Sequence, residues 1–176
     1  MMPAIVIRQA TKNDAELVAD ICRRSFFDTY ASFNTKEDMD EYMREHLSKE
    51  IIMNEVSSSA TDFFLAFVED KAAGYVQLND KSSPASMKEA NAMEIVRFYA
   101  MEEWIGKGIG SALMQSCIDR AVAKNKEWLW LLVWQKNQRA IAFYKKWGFE
   151  KFDTHVFVLG NDAQTDWLMK KTLSTT

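Results

Sequence analysis

Three of the chain's six glycines lie in the stretch Gly106-Lys107-Gly108-Ile109-Gly110. An apolar, strand-like run precedes this stretch, and an amphipathic run that begins at Ser111 follows it. Glycine tolerates positive φ and has no side chain, so successive N–H groups can converge on one anion, and the dipole of the following helix adds partial positive charge. The stretch therefore predicts a phosphate-binding turn, with a tight strand-to-helix turn that binds no ligand as the alternative.

The spacing of these glycines excludes two common nucleotide-binding motifs. The dinucleotide pattern G-x-G-x-x-G fails because Ser111 and Leu113 stand where the third glycine is needed. The pattern G-x-x-x-x-G-K-[ST] of nucleoside triphosphate-binding loops is absent from the sequence. The remaining pattern is x-x-G-x-G followed by small residues in the first turn of a helix.

Length and composition predict one domain over residues 1–176, because 176 residues with 48% hydrophobic content can bury a substantial core. The longest apolar run, Trp128–Trp134, is far shorter than the ~20 residues of a membrane helix. No basic-then-apolar leader is visible at Met1–Ala4, so we expect a cytoplasmic protein without membrane association. The tryptophans of the apolar run are interpreted as the core of a central strand.

Charge and cysteine content restrict the partners further. A net charge of −3 argues against nucleic acid as the main partner and agrees with a cationic substrate. Cys22 and Cys117 stand apart in helix-like segments, so two reduced, partly buried thiols are expected. His46 and His155 show no metal-ligand spacing, and we expect no metal.

The apolar periodicity predicts a mixed α/β fold with at least one parallel strand pair near the glycine turn. The expected strands cover residues 5–8, 63–68, 75–78, 92–100, 128–134, 149–158 and 166–173. The expected helices cover residues 14–25, 36–47, a short segment after Ser48, 111–125 and 137–147, and a polar loop covers 82–91.

Two separated motifs resemble the GCN-five-related N-acetyltransferase (GNAT) superfamily over nearly the whole chain. The first is Phe98–Leu113, and the second is Asn137–Tyr144 followed by Trp147-Gly148-Phe149. Further stretches resemble the PaiA-like polyamine acetyltransferases: Ser25–Tyr30, Glu94-Ile95, Trp134–Asn137, His155–Gly160 and Gln164–Asp166. The resemblance implies a central, mostly antiparallel sheet with one splayed parallel strand pair, flanked by helices.

The resemblance also implies acetyl-CoA as co-substrate. Its pyrophosphate is expected on the N–H groups of Gly106 to Ser111, and its pantetheine arm beside the backbone of the strand that ends at Ala100. The implied cofactor-binding residues are Phe98, Tyr99, Ala100, Ile105, Gly106, Lys107, Gly108, Ile109, Gly110, Ser111, Asn137, Ala140 and Tyr144. Ile105 departs from the family pattern, which has Arg or Gln at that position and so makes one more side-chain contact with phosphate.

Two residues are candidates for the chemistry. Tyr144 is expected to protonate the departing thiolate, with an ordinary core aromatic as the alternative interpretation. Glu94 is expected to act as the base, with an exposed charge at a strand end as the alternative. Strict alternation places Val96 and Phe98 on the same face as Glu94, so we expect apolar surroundings that raise its pKa. Val96 also stands where polyamine-specific members commonly have a second acid.

The acceptor is expected to be a small cationic amine, a polyamine in particular. Carboxylates and aromatic faces that suit such a cation occur at Phe26, Asp28, Tyr30, Glu37, Glu41 and Glu94. The acidic residues of 37–41 can equally form a solvated helix face. Two other functions stay open, a protein N-terminal or lysine acetyltransferase and a non-catalytic CoA-binding sensor, and the resemblance implies that the chain can form a homodimer.

Overall fold

One mixed sheet of seven strands organises the protein in the computed structural model, which describes residues 2–88 and 90–173. The strands are β1 (Ile5–Gln9), β2 (Thr61–Val68), β3 (Lys71–Asn79), β4 (Ala92–Ala100), β5 (Trp128–Trp134), β6 (Glu150–Leu159) and β7 (Asp162–Thr172). The helices are α1 (Ala15–Tyr30), α2 (Lys36–His46), α3 (Lys49–Ser57), α4 (Ile109–Ala123) and α5 (Gln138–Lys146). The ends of the expected domain, at residues 1 and 174–176, and Glu89 of the expected polar loop lie outside the described residues.

The strand order is β1-β2-β3-β4-β5-β7-β6, and every neighbouring pair is antiparallel except β4 and β5. The parallel pairing joins Ala92–Ile95 to Trp128–Leu131 and then stops, although both strands continue. The second half of β4, from Val96 to Ala100, therefore has no strand beside it on its β5 side among the described residues. This arrangement confirms the expected fold class, including the splayed parallel pair.

A β-bulge in β4 lies where the two parallel strands separate. Leu78 of β3 pairs with Ile95, but the preceding residue, Gln77, pairs with Arg97, so Val96 is an extra residue. A bulge locally increases the twist of a strand and changes which residues share a face. It accordingly reverses the side-chain alternation within β4.

The two faces of the sheet support two separate cores. Helix α4 packs on one face, where Leu113, Met114 and Cys117 are buried against Val76 and Leu129. Helices α1 and α3 pack on the other face, where Val18, Ile52 and Tyr75 belong to the second core. The glycine turn connects the end of β4 to helix α4, which belongs to the first of these cores.

Most element boundaries agree with the expected ones, and the two central strands match them to the residue. Helix α1 was expected to end near Ser25, but it continues to Tyr30. The hairpin loop is also shorter than expected, because Glu69 and Asp70 both adopt positive φ (49° and 64°) and form a tight two-residue turn. Strand β7 begins four residues earlier than residue 166, the expected start.

Candidate active site

A cleft of about 430 Å³ opens where β4 and β5 separate. Its walls come from the end of β4, the glycine turn and helix α5. The expected cofactor residues that line it are Phe98, Tyr99, Ala100, Ile105, Gly106, Gly108, Gly110, Ser111, Asn137, Ala140 and Tyr144. Two expected residues contribute no side chain: Ile109 is buried in the core, and Lys107 lies over the ring of Trp104.

The amide of Lys107, one of the expected phosphate donors, already donates to the carbonyl of Trp104 at 3.2 Å, so the free amides beside this cleft lie at the start of α4. Gly106 and Gly108 have φ of +78° and +89°, a conformation that residues with a side chain adopt at a cost. Hydrogen bonding within α4 begins with the amide of Ala112, which donates to the carbonyl of Gly108 at 3.0 Å. The N–H groups of Ile109, Gly110 and Ser111 in the first turn therefore have no partner within the helix.

Helix α5 forms the opposite wall of the cleft. Asn137 is its N-cap, and its Oδ1 accepts a hydrogen bond from the amide of Ala140 at 3.2 Å. The amide group of the Asn137 side chain still has its N–H donors for a ligand. Gly148, with φ of +89°, follows the end of the helix.

Tyr144 lies on α5 at the junction of this cleft with a second cavity and lines both. It is 7% exposed, and its ring packs edge-on against Phe98 and Phe149. Burial raises the pKa of Tyr144 above the ordinary value of a phenol. Its hydroxyl therefore stays protonated at neutral pH and remains a proton donor.

The second cavity, of about 380 Å³, lies on the face of the sheet that carries α1 and α2, and we name it the chamber. Three charged side chains line it: Glu94, Arg97 and Asp166. Arg97 donates a hydrogen bond to Glu55 at 2.7 Å and another to Gln77, so its charge is matched. Neither Glu94 nor Asp166 forms an ion pair in the part of the chain that the structure describes.

The bulge corrects the expected surroundings of Glu94. Glu94 pairs with Asn79 and Arg97 with Gln77, so these two β4 residues share one face, whereas Phe98 pairs with Val76 on the other. The expectation that Phe98 lies on the face of Glu94 was wrong, because the extra residue Val96 shifts the alternation. Burial nevertheless raises the pKa of Glu94, although a hydrogen bond with Ser82 and the charge of Arg97 oppose the increase.

The expected acceptor residues lie in different places. Phe26 and Tyr30 line the chamber together with Glu94. Asp28 lines a smaller pocket of about 200 Å³ beside the cleft, where it accepts a hydrogen bond from Tyr99 at 2.8 Å. Glu37 and Glu41 are exposed on α2 and line neither cavity, which agrees with the alternative of a solvated helix face.

Sequence reasoning missed several residues that enclose the chamber. Tyr42 of α2 stacks on Phe26 with ring centroids 4.4 Å apart, and Phe157 of β6 lies 5.5 Å from Tyr42. Trp134 is buried, but it lines the chamber as well as the core. Asp166 lies directly across from Trp134 in the pairing of β7 with β5.

The cysteines and the described helices add three observations. Cys22 and Cys117 are free and buried, more completely than expected, and burial raises the pKa of both thiols. Across the described part of the chain, no group of three or more His, Cys, Asp or Glu side chains could hold a metal ion. Within residues 2–88 and 90–173, every helix is too short or too polar to cross a lipid bilayer.

The splayed strand pair and the glycine turn belong to the fold of a known class of enzyme. Residues 23–149 match the acetyltransferase (GNAT) family. The chain belongs to this family and is an N-acetyltransferase. Enzymes of the family take the acetyl group from acetyl-CoA.

Individual relatives match nearly the full length of the chain. An uncharacterized N-acetyltransferase in the pepI 3' region of Lactobacillus delbrueckii subsp. lactis is 31% identical over 98% of this chain and 99% of that protein. A spermidine N(1)-acetyltransferase of Thermoplasma acidophilum is 30% identical over 86% of this chain and 91% of that protein. The crystal structure of PaiA N-acetyltransferase from Thermoplasma acidophilum in complex with coenzyme A superposes with a TM-score of 0.78 at 26% identity, covering 96% of this chain and 99% of that one.

Proposed function

We propose that this protein transfers the acetyl group of acetyl-CoA to a primary amine of a small cationic acceptor, a polyamine such as spermidine. The observation that carries the proposal is the meeting of the cleft and the chamber at Tyr144. Two substrates that enter from opposite faces of the sheet can react there directly. No covalent enzyme intermediate is required.

The cleft fits coenzyme A in two respects. The free amides at the start of α4 suit a diphosphate, since several N–H donors and the helix dipole act on the same anion. The unpaired edge of β4 from Val96 to Ala100 suits the amides of the pantetheine arm, which can add to the sheet like a short strand. Acetyl-CoA supplies the acetyl thioester, and the other steps depend on residues of this chain.

Glu94 is proposed to receive the proton of the acceptor ammonium, directly or through a water molecule. A primary amine with a pKa of ~10.4 is protonated about a thousandfold over its neutral form at pH 7.4, so the neutral nucleophile costs about 4 kcal/mol. A carboxylate whose pKa is raised by burial is a stronger base than an exposed one. Glu94 lines the chamber, through which the acceptor is proposed to enter.

Tyr144 is proposed to donate its proton to the sulfur as the thiolate departs. The second proton, which the attacking nitrogen releases as the amide forms, then returns to the Tyr144 phenolate directly or through water. The raised pKa of Tyr144 keeps the hydroxyl protonated, and its position at the junction lets it face both substrates. Cys117 is an unsuitable nucleophile, because its thiol is fully buried in the core beneath α4.

The charge of the chamber supports a cationic acceptor. Glu55 neutralises Arg97, which leaves the carboxyl groups of Glu94 and Asp166 among several aromatic rings. Aromatic faces and carboxylates together favour ammonium groups. A relative from Thermoplasma acidophilum is named a spermidine N(1)-acetyltransferase, and spermidine is a cation of this kind.

The test is an acceptor panel assayed with acetyl-CoA by release of the free thiol and by mass spectrometry of the product. We expect turnover with spermidine, spermine and diamines, and little with peptides that carry a free N-terminus or a lysine. Turnover with peptides alone would identify a protein acetyltransferase. Binding of CoA without turnover of any amine would identify a sensor.

A further inference from the structure

Asp166 of β7 is a buried acid with one unpaired oxygen among the described residues, and His155 of β6 lies directly across from it in the sheet. Asp166 is 8% exposed, and its Oδ1 has no hydrogen-bond partner among the described residues. Gln164, two residues earlier and therefore on the same face of β7, is 9% exposed and has an Oε1 without a partner as well. Buried oxygens are almost always satisfied by a donor, and of these two residues Asp166 lines the chamber, so its unpaired oxygen can accept a hydrogen bond from a ligand there.

Aromatic rings surround the position of Asp166. Trp134 is its neighbour across the strands, and the ring of Tyr30 lies 5.4 Å from that of Trp134 and 6.1 Å from that of Phe157. Tyr42 closes the group, with its ring 5.5 Å from Phe157. A carboxylate among electron-rich ring faces is an environment that binds an organic ammonium ion.

Asp166 lies away from Glu94, the proposed base. The acetyl donor is proposed to lie along β4, in the gap between β4 and β5, and β7 is on the far side of β5. Glu94 pairs with Trp130, whereas Asp166 pairs with Trp134. The backbones of these two acids are therefore two strand spacings apart across the sheet, which is about 10 Å, and four residues apart along the strands, which is about 13 Å.

We propose that Asp166 binds a second ammonium group of the acceptor, one that does not react, while the first is acetylated beside Glu94 and Tyr144. Asp166 then makes the enzyme specific for diamines and polyamines, because a monoamine leaves this carboxylate without a partner. The proposal rests on the proposed acetyltransferase function and adds a specificity residue and a substrate class to it.

The experiment compares Asp166→Asn with the unaltered enzyme on α,ω-diamines of increasing length and on alkylamines of the same lengths. We expect kcat/KM for diamines of the preferred length to fall about ten- to a hundredfold, the loss of one hydrogen bond between charged partners. The effect should lie mainly in KM, and kcat/KM for alkylamines should stay within about twofold, since their binding does not use this charge. Glu50→Gln removes an equal charge from the exposed side of α3 and should change neither series.

Equal losses for diamines and alkylamines, or no loss for either, would overturn the role of Asp166 and leave the acetyltransferase function intact. Absence of turnover with every amine would instead overturn the proposed function. In that case, calorimetric titration of spermidine into the CoA complex still decides the binding role. Weaker binding by Asp166→Asn supports it, and equal binding contradicts it.

Discussion

Glu94 and Arg97 lie on the same face of the sheet, although three positions separate them along one strand. Val96 bulges out of the pairing with β3, and the parallel pairing of β4 with β5 ends at the residue before it. The bulge therefore directs Glu94 towards the chamber and Phe98 towards the opposite face, where its ring packs against Tyr144. One extra residue thus decides which side chains of β4 share a face with Glu94.

Replacement of Tyr144 by Phe tests the proton donor. Acid–base catalysis by a positioned side chain typically contributes 10²–10⁴-fold, so we expect kcat to fall about a hundredfold or more. Affinity for acetyl-CoA, measured by calorimetry, should stay within about twofold. Tyr99→Phe is the matched control, because that hydroxyl is already bonded to Asp28, and an equal loss of kcat in both variants would remove Tyr144 from the chemistry.

Replacement of Glu94 by Gln tests the base through the pH profile. The unaltered enzyme should lose rate as the pH falls through the raised pKa of Glu94, because the protonated acid cannot accept a proton. The variant should be at least about tenfold slower near pH 7, and the deficit should narrow as the pH approaches the amine pKa of ~10.4. A deficit that does not change with pH would assign Glu94 to acceptor binding alone.

Replacement of Gly108 by Ala tests the glycine turn. A residue with Cβ at φ of +89° costs roughly 1–2 kcal/mol, so thermal stability should fall by a few degrees. Affinity for CoA should also fall, since the amides of the turn shift from their positions. Gly148→Ala has the same φ outside the cleft, and it should lower stability without changing CoA affinity. Equal CoA affinity in both variants would count against the turn as the phosphate site.

Replacement of Asp166 by Asn should stabilise the free protein at high pH. Burial raises the pKa of Asp166 to about 6, above the ~3.9 of an aspartate in an unfolded chain. The native state therefore holds the carboxyl proton more tightly than the unfolded state does. As a result, the free energy of unfolding decreases as the pH rises from 4 to 6. Solvent screens part of this effect, so the loss in free energy of unfolding above pH 6 is at most about 3 kcal/mol. The titratable and charged side chains around the Asp166 carboxyl group are Tyr30 of α1, Tyr42 of α2 and His155 of β6, together with Glu94 and Arg97 in the chamber.

The measurement for this variant is the melting temperature against pH. Asp166→Asn should melt several degrees above the unaltered protein at pH 8, and the difference should disappear near pH 4. Glu41→Gln should show no such trend, because its carboxylate is exposed. A difference that is constant between pH 4 and pH 8 would contradict the account of Asp166 as a buried, unpaired acid.

Local patterns were sufficient to predict the central part of the fold. The glycine spacing, the capping residue Asn137 and the apolar run Trp128–Trp134 each act through contacts close in sequence, and the structure contains the corresponding turn, helix and strand. The GNAT resemblance supplied the splay between β4 and β5, which no local pattern encodes.

The chamber could not be predicted from the sequence because its walls depend on strand order. Asp166 and Phe157 reach it only because β7 inserts between β5 and β6 in the sheet. The bulge at Val96 was also invisible, since a valine in an apolar strand gives no signal of an extra residue. The unpaired oxygen of Asp166 became apparent only when its surroundings were known.

Calorimetric titration of the unaltered protein with CoA tests the central claim most directly, because every proposed step depends on the cofactor lying between β4 and α5. The account predicts saturable binding of one CoA per chain, weakened by Gly108→Ala and unchanged by Gly148→Ala. Absence of detectable binding of either CoA or acetyl-CoA to the folded protein would contradict it.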